Sequence, residues 1–551
     1  MELLSSKKSV KPLERDKLVD AIAAHLTRLI RDTNGITLDD TLELACGSAL
    51  IQTEGHVYRE FVEFRHLLGA FQEDEETIST LLEHPVAHGL RQFFKKFPLP
   101  YREEHIHLTG SLTAGFIYPR LAKLLEGPDG AMYRDKLRGV YGAEADSLDS
   151  VEDLDRMLRL KEHERFDRYL EILLPAKLVL RTRQDHSDAA YHMASELYTR
   201  YNVGYIRLKF TLSRITQSVA QQVPGLDDLT PEDVVLGLYD GFARFMTEQS
   251  RFSFTLSPCV RKEPSFWDSS RFESKAEDFM HQVNLILDLK ERYPELNACL
   301  TDVDTVGNER DLYRKHDFLQ MQPGFRKLHQ HGFHIRSHHG ETWRTLRYGI
   351  QAVDNAMNIW HIDRLEHGLS LGINPPYYFH SIMQRVLDWN RQGRGVPDGC
   401  MEADELQDMD WKEHGAVLAK IMAGERLTDH EVKEFSRVKF FAALEVERYQ
   451  HDVLNRMIHK GVSITSLPSS NQRLTTSLPD YKDHPFSWWE RKSVRQGVGT
   501  DNYITLDTDY LQELVILLLS DPKNLKITKL LMVATGERRR PYLSKMLWDM
   551  D

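Results

Sequence analysis

Eight short apolar segments of strand character, most of them followed by a helical pattern, constrain this chain more than any other feature. They are 104–109 (EHIHLT), 203–211 (VGYIRLKFT), 252–258 (FSFTLSP), 298–304 (ACLTDVD), 333–339 (FHIRSHH), 364–369 (RLEHGL), 462–467 (VSITSL) and 495–501 (RQGVGTD). That count and alternation predict an α/β chain folded as a (β/α)8 TIM-type barrel, with chemistry collected at the C-terminal ends of the strands. At 551 residues the chain is long enough for such a barrel and additions to it.

Two additions stand out. Residues 14–33 place Leu18, Ile22, Ala23, Leu26, Leu29 and Ile30 at helical spacing and stop near Asn34-Gly35, and more helix-like sequence runs to Lys96 before Phe97-Pro98-Leu99-Pro100 breaks it. Residues 1–98 are therefore expected to be an N-terminal helical region and 99–551 the barrel. The gap between the sixth and seventh segments is too long for one crossover, so about 374–445 is expected to be a helical insertion. It begins with an acidic stretch expected to be flexible (GCMEADELQDMD), followed by Thr428 capping an amphipathic helix. Packing at the barrel mouth or against another subunit, hence a homo-oligomer, is the expected use of these additions.

Composition narrows the function. A formal net charge of −12 argues against a surface built to hold a phosphate backbone, and nothing points directly to nucleic acid. Cys46, Cys259, Cys299 and Cys400 lie far apart with no C-x-x-C pair, which suits a reducing, cytoplasmic setting and indicates neither a disulfide framework nor a thiolate metal site. The N-terminus lacks an apolar signal core and no run of eighteen apolar residues occurs, so no membrane partner is expected.

Polar residues gather at the strand ends. His105 and His107 alternate along the first segment and so share a face, as two ligands of one metal must. The fifth segment ends in SHHGET with His338 and Glu341, the sixth in LEHG with His367, and the eighth in GTDN with Asp501. Three imidazoles and a carboxylate at the strand ends of one barrel make a zinc ligand set that leaves a position for water. Each element also has a plainer reading. The first two histidines are then a hydrogen-bonded pair, His339 competes with His338, Glu341 is an acid opening a helix, and Asp501 is a turn residue.

HIHLTGSL resembles the H-x-H-L-D-G-S opening of the adenosine deaminase family, and SHHGE its H-A-G-E motif. LEHGLSL is similar to the family's G-H-G segment, SLPSSNQ to C-P-x-S-N, GTDNY to T-D-D-P, and DVDTVGNE to D-L-A-G-x-E, in the same order. The resemblance implies that His105, His107, His338 and Asp501 bind Zn2+. It also implies that Glu341 donates a proton to N1 of a purine, that His367 orients the attacking water, and that the backbone of Gly307 meets N3. Zinc chemistry at C6 of adenine needs such a proton donor across the ring.

Three departures bear on substrate. Thr109 stands where the family has an aspartate at the ribose 5′-hydroxyl, and a threonine does not repel a 5′-phosphate. Asn502 replaces a second aspartate and can donate to N7 while accepting from the 6-amino group. Arg207 and Lys209 replace E-x-R on the second segment and share a face, which either adds positive charge for a phosphate at the barrel mouth or forms ion pairs.

The expected function is zinc-dependent hydrolytic deamination of adenosine or a 5′-phosphorylated adenine nucleotide to the inosine form, with release of ammonia. The N-terminal addition and insertion also resemble those of larger deaminases in bacterial antiphage systems, which implies an antiviral role and an ATPase partner. The alternatives are a zinc hydrolase of another amidine or cyclic amide, and a non-catalytic barrel scaffold.

Overall fold

The computed structural model describes residues 12–162, 164, 166–212, 229–475 and 477–550, which fall into two compact units. One unit comprises residues up to 103 with 195–205 and 508–551, and the other comprises 104–194 and 206–507.

In the first unit the helix Pro12–Asp32 buries Val19, Ile22, Ala23, Leu26 and Ile30, one stripe at helical spacing. It packs on the helix Pro85–Lys96, whose Val86, Leu90, Phe93 and Phe94 are also buried. Asn34 and Gly35 end the first helix with φ of 54° and 67°. The C-terminal segment joins this unit through backbone, Ile527 N donating to Ile36 O at 3.0 Å.

The sheet belongs to the second unit except for the first three residues of each of its first two strands: β1 (Tyr101–His107), β2 (Val203–Thr211), β3 (Ser253–Arg261), β4 (Asp302–Val306), β5 (His334–His339), β6 (Arg364–His367), β7 (Ser463–Ser466) and β8 (Gln496–Val498). The eight strands are parallel and lie in sequence order. The sheet closes where Asp501 N donates to His105 O at 2.9 Å and His107 N donates to Asp501 O at 2.8 Å. This is the (β/α)8 barrel expected from the sequence.

Strand ends shift from expectation, most at β1 and β4, and ion pairs carry charged residues of both into the barrel interior. β1 starts at Tyr101, ahead of 104, and ends at His107, so Thr109 lies in the following loop; Glu104 within the strand faces Arg207 and Arg364. β4 occupies Asp302–Val306 rather than 298–304, with both aspartates inside. Where such barrels are usually filled by branched aliphatic side chains, this interior holds Glu104, Asp302, Asp304 and Glu366 against Arg207, Lys209, Arg336 and Arg364.

Between β6 and β7 run the helices Pro375–Arg391, Met401–Asp408, Gly415–Ala423 and Asp429–Lys460. Thr428 caps the last in a reciprocal capping box with Glu431. The acidic stretch expected to be flexible is instead ordered helix, with Glu402, Asp404 and Glu405 buried. Partners explain it: Asp404 takes Arg310 and, at 3.0 Å, Arg344, Glu402 takes Arg385 at 2.5 Å, and Glu405 accepts from Leu346 N at 2.6 Å and the Tyr378 hydroxyl at 2.7 Å. Among the described residues no helix is long and apolar enough to cross a membrane.

Candidate active site

The ends of β1, β5 and β8 bring four of the sequence-derived residues together. His107 Nε2 lies 3.1 Å from His105 Nε2 and 3.3 Å from His338 Nε2. Asp501 Oδ1 is 3.8 Å and 3.6 Å from the Nε2 atoms of His105 and His107. Asp501 reaches inward from a left-handed backbone, φ 66°, a conformation that is costly for a non-glycine residue and typical of functional sites. His339 turns to the opposite face, where its ring packs near Phe318 and Trp360 and its Nδ1 meets the Ser337 hydroxyl at 2.6 Å.

Partners behind the rings settle which nitrogen carries the proton. Glu366 Oε2 takes His105 Nδ1 at 2.8 Å, and Asp304 Oδ1 takes His338 Nδ1 at 3.2 Å. A carboxylate can only accept, so both Nδ1 atoms carry hydrogen and both Nε2 atoms present lone pairs to the same point. Burial drives the pKa of His105 and His107 well below the ordinary imidazole value, with the Lys209 charge adding for His105 and His338 for His107. Neutral rings with converging lone pairs, beside a carboxylate, repel one another unless a cation lies between them. This donor set fits a metal ion bound by nitrogen and oxygen. Ser470 donates to Asp501 Oδ2 at 2.6 Å and fixes the carboxylate's rotation.

Glu341 sits in the loop after β5, five residues before the helix Leu346–Asn355, so it does not open a helix. Glu309 holds that loop by accepting from Gly340 N, Glu341 N and Thr342 N at 3.0, 2.7 and 2.8 Å. Gly340 has φ 72°, and a Cβ there would come within 2.6 Å of Ser370 Oγ. Burial raises the Glu341 pKa, opposed by the charges of His338 and Lys262, and so favours the protonated carboxyl.

His367 Nε2 lies 3.7 Å from Glu341 Oε2 and, though fully buried, has no hydrogen-bond partner among the described residues. Its Nδ1 meets Asn471 Oδ1 at 2.9 Å, leaving Nε2 as an acceptor aimed at the site. His367 too has a left-handed backbone, φ 65°, and burial lowers its pKa to about 4.

A cavity opens from this cluster, lined among others by His107, Thr109, Phe166, Tyr169, Lys177, Lys209, Arg261, Gly307, Glu341 and Asn502. Gly307 has φ 106° and carries the Glu263 carboxylate against its Cα, where a Cβ would meet Oε2 at 2.2 Å. Asn502 directs its amide to the Tyr169 hydroxyl and, at 2.8 Å, to Asp501 Oδ1, so its donors serve the Asp501 carboxylate and its neighbour. Arg207 does not line the cavity; it pairs with Glu104 and Asp302 two residues back along β2 from Lys209. Lys209 reaches the cavity wall but gives its ammonium to Asp304 and Glu366.

Several contributors escape sequence reasoning: Glu366, Asp304, Ser470, Asn471, Glu309 and Tyr169. Five of them lie inside quoted segments, and an acid within an apolar strand, as in LEHG and DVD, was the available signal.

Residues 141–375 match the family model described as adenosine deaminase. This part of the chain is similar to the adenosine deaminase family. It spans β2 to β6 and includes Gly307, His338, Glu341 and His367, while His105, His107 and Asp501 lie outside the match and reach the site through the fold. Among curated proteins none matches the chain. Similar solved structures include the N6-methyl-AMP deaminase of Arabidopsis thaliana, 13% identical with TM-score 0.46, the alignment covering 82% of this chain and 97% of that one. A Burkholderia ambifaria amidohydrolase with bound zinc is also 13% identical, with TM-score 0.48 and coverage of 83% and 93%. The ADAL–IMP complex has the same identity and TM-score, with coverage of 83% and 98%.

Proposed function

We propose that the barrel is a zinc-dependent hydrolase that deaminates adenosine or a 5′-phosphorylated adenine nucleotide, giving the inosine form and ammonia. The observation that carries this reading is the meeting of His105, His107, His338 and Asp501 at one point, with the buried Glu341 carboxyl and the His367 acceptor beside it. His105, His107, His338 and Asp501 would hold the ion. Bound zinc supplies Lewis acidity that brings the pKa of water towards neutrality.

The chain's own groups do the rest. Burial favours the protonated form of Glu341, which can deliver a proton to ring N1 as water oxygen bonds to C6, so that charge does not build up on the ring. His367, neutral and bare at Nε2, accepts a hydrogen from that water and fixes its line of approach. The C6–N bond then breaks as the amino group takes one of the two protons of that water and leaves as ammonia, while the other water proton restores the Glu341 carboxyl. Phe166 and Tyr169 line the cavity and offer ring faces to a base. Thr109, in the loop after β1, brings no negative charge to the cavity wall, which supports nucleotide as well as nucleoside substrates.

The test is ammonia release from adenosine, deoxyadenosine, AMP, dAMP, ATP and dATP by zinc-loaded protein, with Glu341→Gln as control. Release that disappears in the control is the expected result. No release from any of the six rejects the deaminase reading.

A further inference from the structure

We propose that Lys209 is a positioning residue of the metal site, one buried ammonium group that ties together the two carboxylates holding His105 and His338. This rests on the metal-site reading above and goes beyond it. Lys209 is fully buried on β2, and its Nζ donates to Asp304 Oδ2 and, at 3.1 Å, to Glu366 Oε1. Each carboxylate divides its oxygens in the same way. The remaining oxygen of Glu366 takes His105 Nδ1 at 2.8 Å, and that of Asp304 takes His338 Nδ1 at 3.2 Å. Lys209, Asp304, Glu366 and His105 all have zero exposure, so water does not stand in for any of these partners.

A carboxylate held at one oxygen cannot rotate away from the imidazole at the other. The ammonium therefore sets the direction of two Nε2 lone pairs at once, and the carboxylate charge raises the donor strength of both rings. The two arms are unequal. Glu366 keeps a second cation, Arg336 Nε at 2.5 Å, whereas among the described residues the only cation paired with Asp304 besides the imidazole it holds is Lys209. Loss of Lys209 should fall mainly on the Asp304–His338 arm. It also follows that the Lys209 charge is spent on the metal site and does not serve a substrate phosphate.

The experiment measures zinc affinity, by competition with a chromophoric chelator, for the wild type, Lys209→Met, Asp304→Asn and the double variant. Each single change should weaken zinc binding roughly 10- to 100-fold. Because both cut the same arm, the double variant should lose little more than the worse single one. Wild-type affinity in Lys209→Met, or a double loss equal to the product of the singles, overturns the proposal. If Lys209→Met does not fold, Lys209→Gln takes its place in the same set of variants, and the same two outcomes overturn the proposal. A wild type that binds no zinc overturns both this and the metal reading, whereas failure of the ammonia assay alone leaves these affinities to stand.

Discussion

At the scale of single residues, Glu341 allows the proposed proton transfer to be tested apart from the proposed metal site. It lies outside the converging ring nitrogens, and burial rather than a charge partner raises its pKa. Glu341→Gln keeps the shape and removes the transferable proton. Zinc content should stay at the wild-type level while turnover falls about 10²- to 10⁴-fold, the usual worth of a positioned acid. Near-normal turnover would take Glu341 out of the mechanism. Thr109 addresses substrate choice in the same way. A carboxylate placed on the cavity wall next to His107 repels a 5′-phosphate, so Thr109→Asp should lower kcat/KM for AMP relative to adenosine. An unchanged ratio would mean that the Thr109 side chain does not meet the 5′ position.

At the scale of elements, the ionic interior explains which parts of the fold were legible. All eight strands could be found from apolar runs, but β1 starts three residues before the expected 104, where Arg102 and Glu103 interrupt the apolar pattern, and β4 starts four residues after the expected 298. Lys209 and Glu366, at two positions where the family motifs read differently, meet as one ion pair that only the closed barrel reveals. Such pairs are costly to break singly. Glu104→Gln leaves Arg207 and Arg364 without their shared carboxylate and should destabilise by about 3–5 kcal/mol in denaturant unfolding, and an unchanged midpoint would contradict it. The helix Met401–Asp408 carries a pH signature. Burial raises Glu405 from 4.5 to about 8, so its neutral form is the one the fold favours. Its contribution to stability is full below pH 4.5 and is lost as pH rises towards 8. Glu405→Gln, whose carbonyl can still accept from Leu346 N and Tyr378, should therefore show a weaker decline across that window, and parallel curves would remove Glu405 as its source.

At the scale of the whole molecule, the sequence reads as a helical region followed by a barrel, but residues 195–205 and 508–551 group with the N-terminal helices. A linear pattern cannot show that, because contacts such as Ile527 N to Ile36 O join segments hundreds of residues apart. The strand-end residues, by contrast, were readable, since barrel topology alone brings the ends of β1, β5, β6 and β8 to one place. That convergence bears on stability. His105, His107 and His338 are held with their Nε2 atoms 3.1 and 3.3 Å apart in consecutive contacts, and the buried carboxylates Glu366 and Asp304 prevent two of the rings from turning away. A cation that satisfies all three lone pairs binds the folded chain and not an unfolded one, in which His338 lies more than two hundred residues from His105 and His107. Zinc added to chelator-stripped protein should therefore raise the thermal midpoint, with a gain of about 4 kcal/mol when free zinc is a thousand times its Kd. The gain should disappear in His105→Ala and Asp501→Ala, which remove ligands, and persist in Glu341→Gln, which removes none. Equal gains in all three variants would place the stabilising ion elsewhere in the molecule.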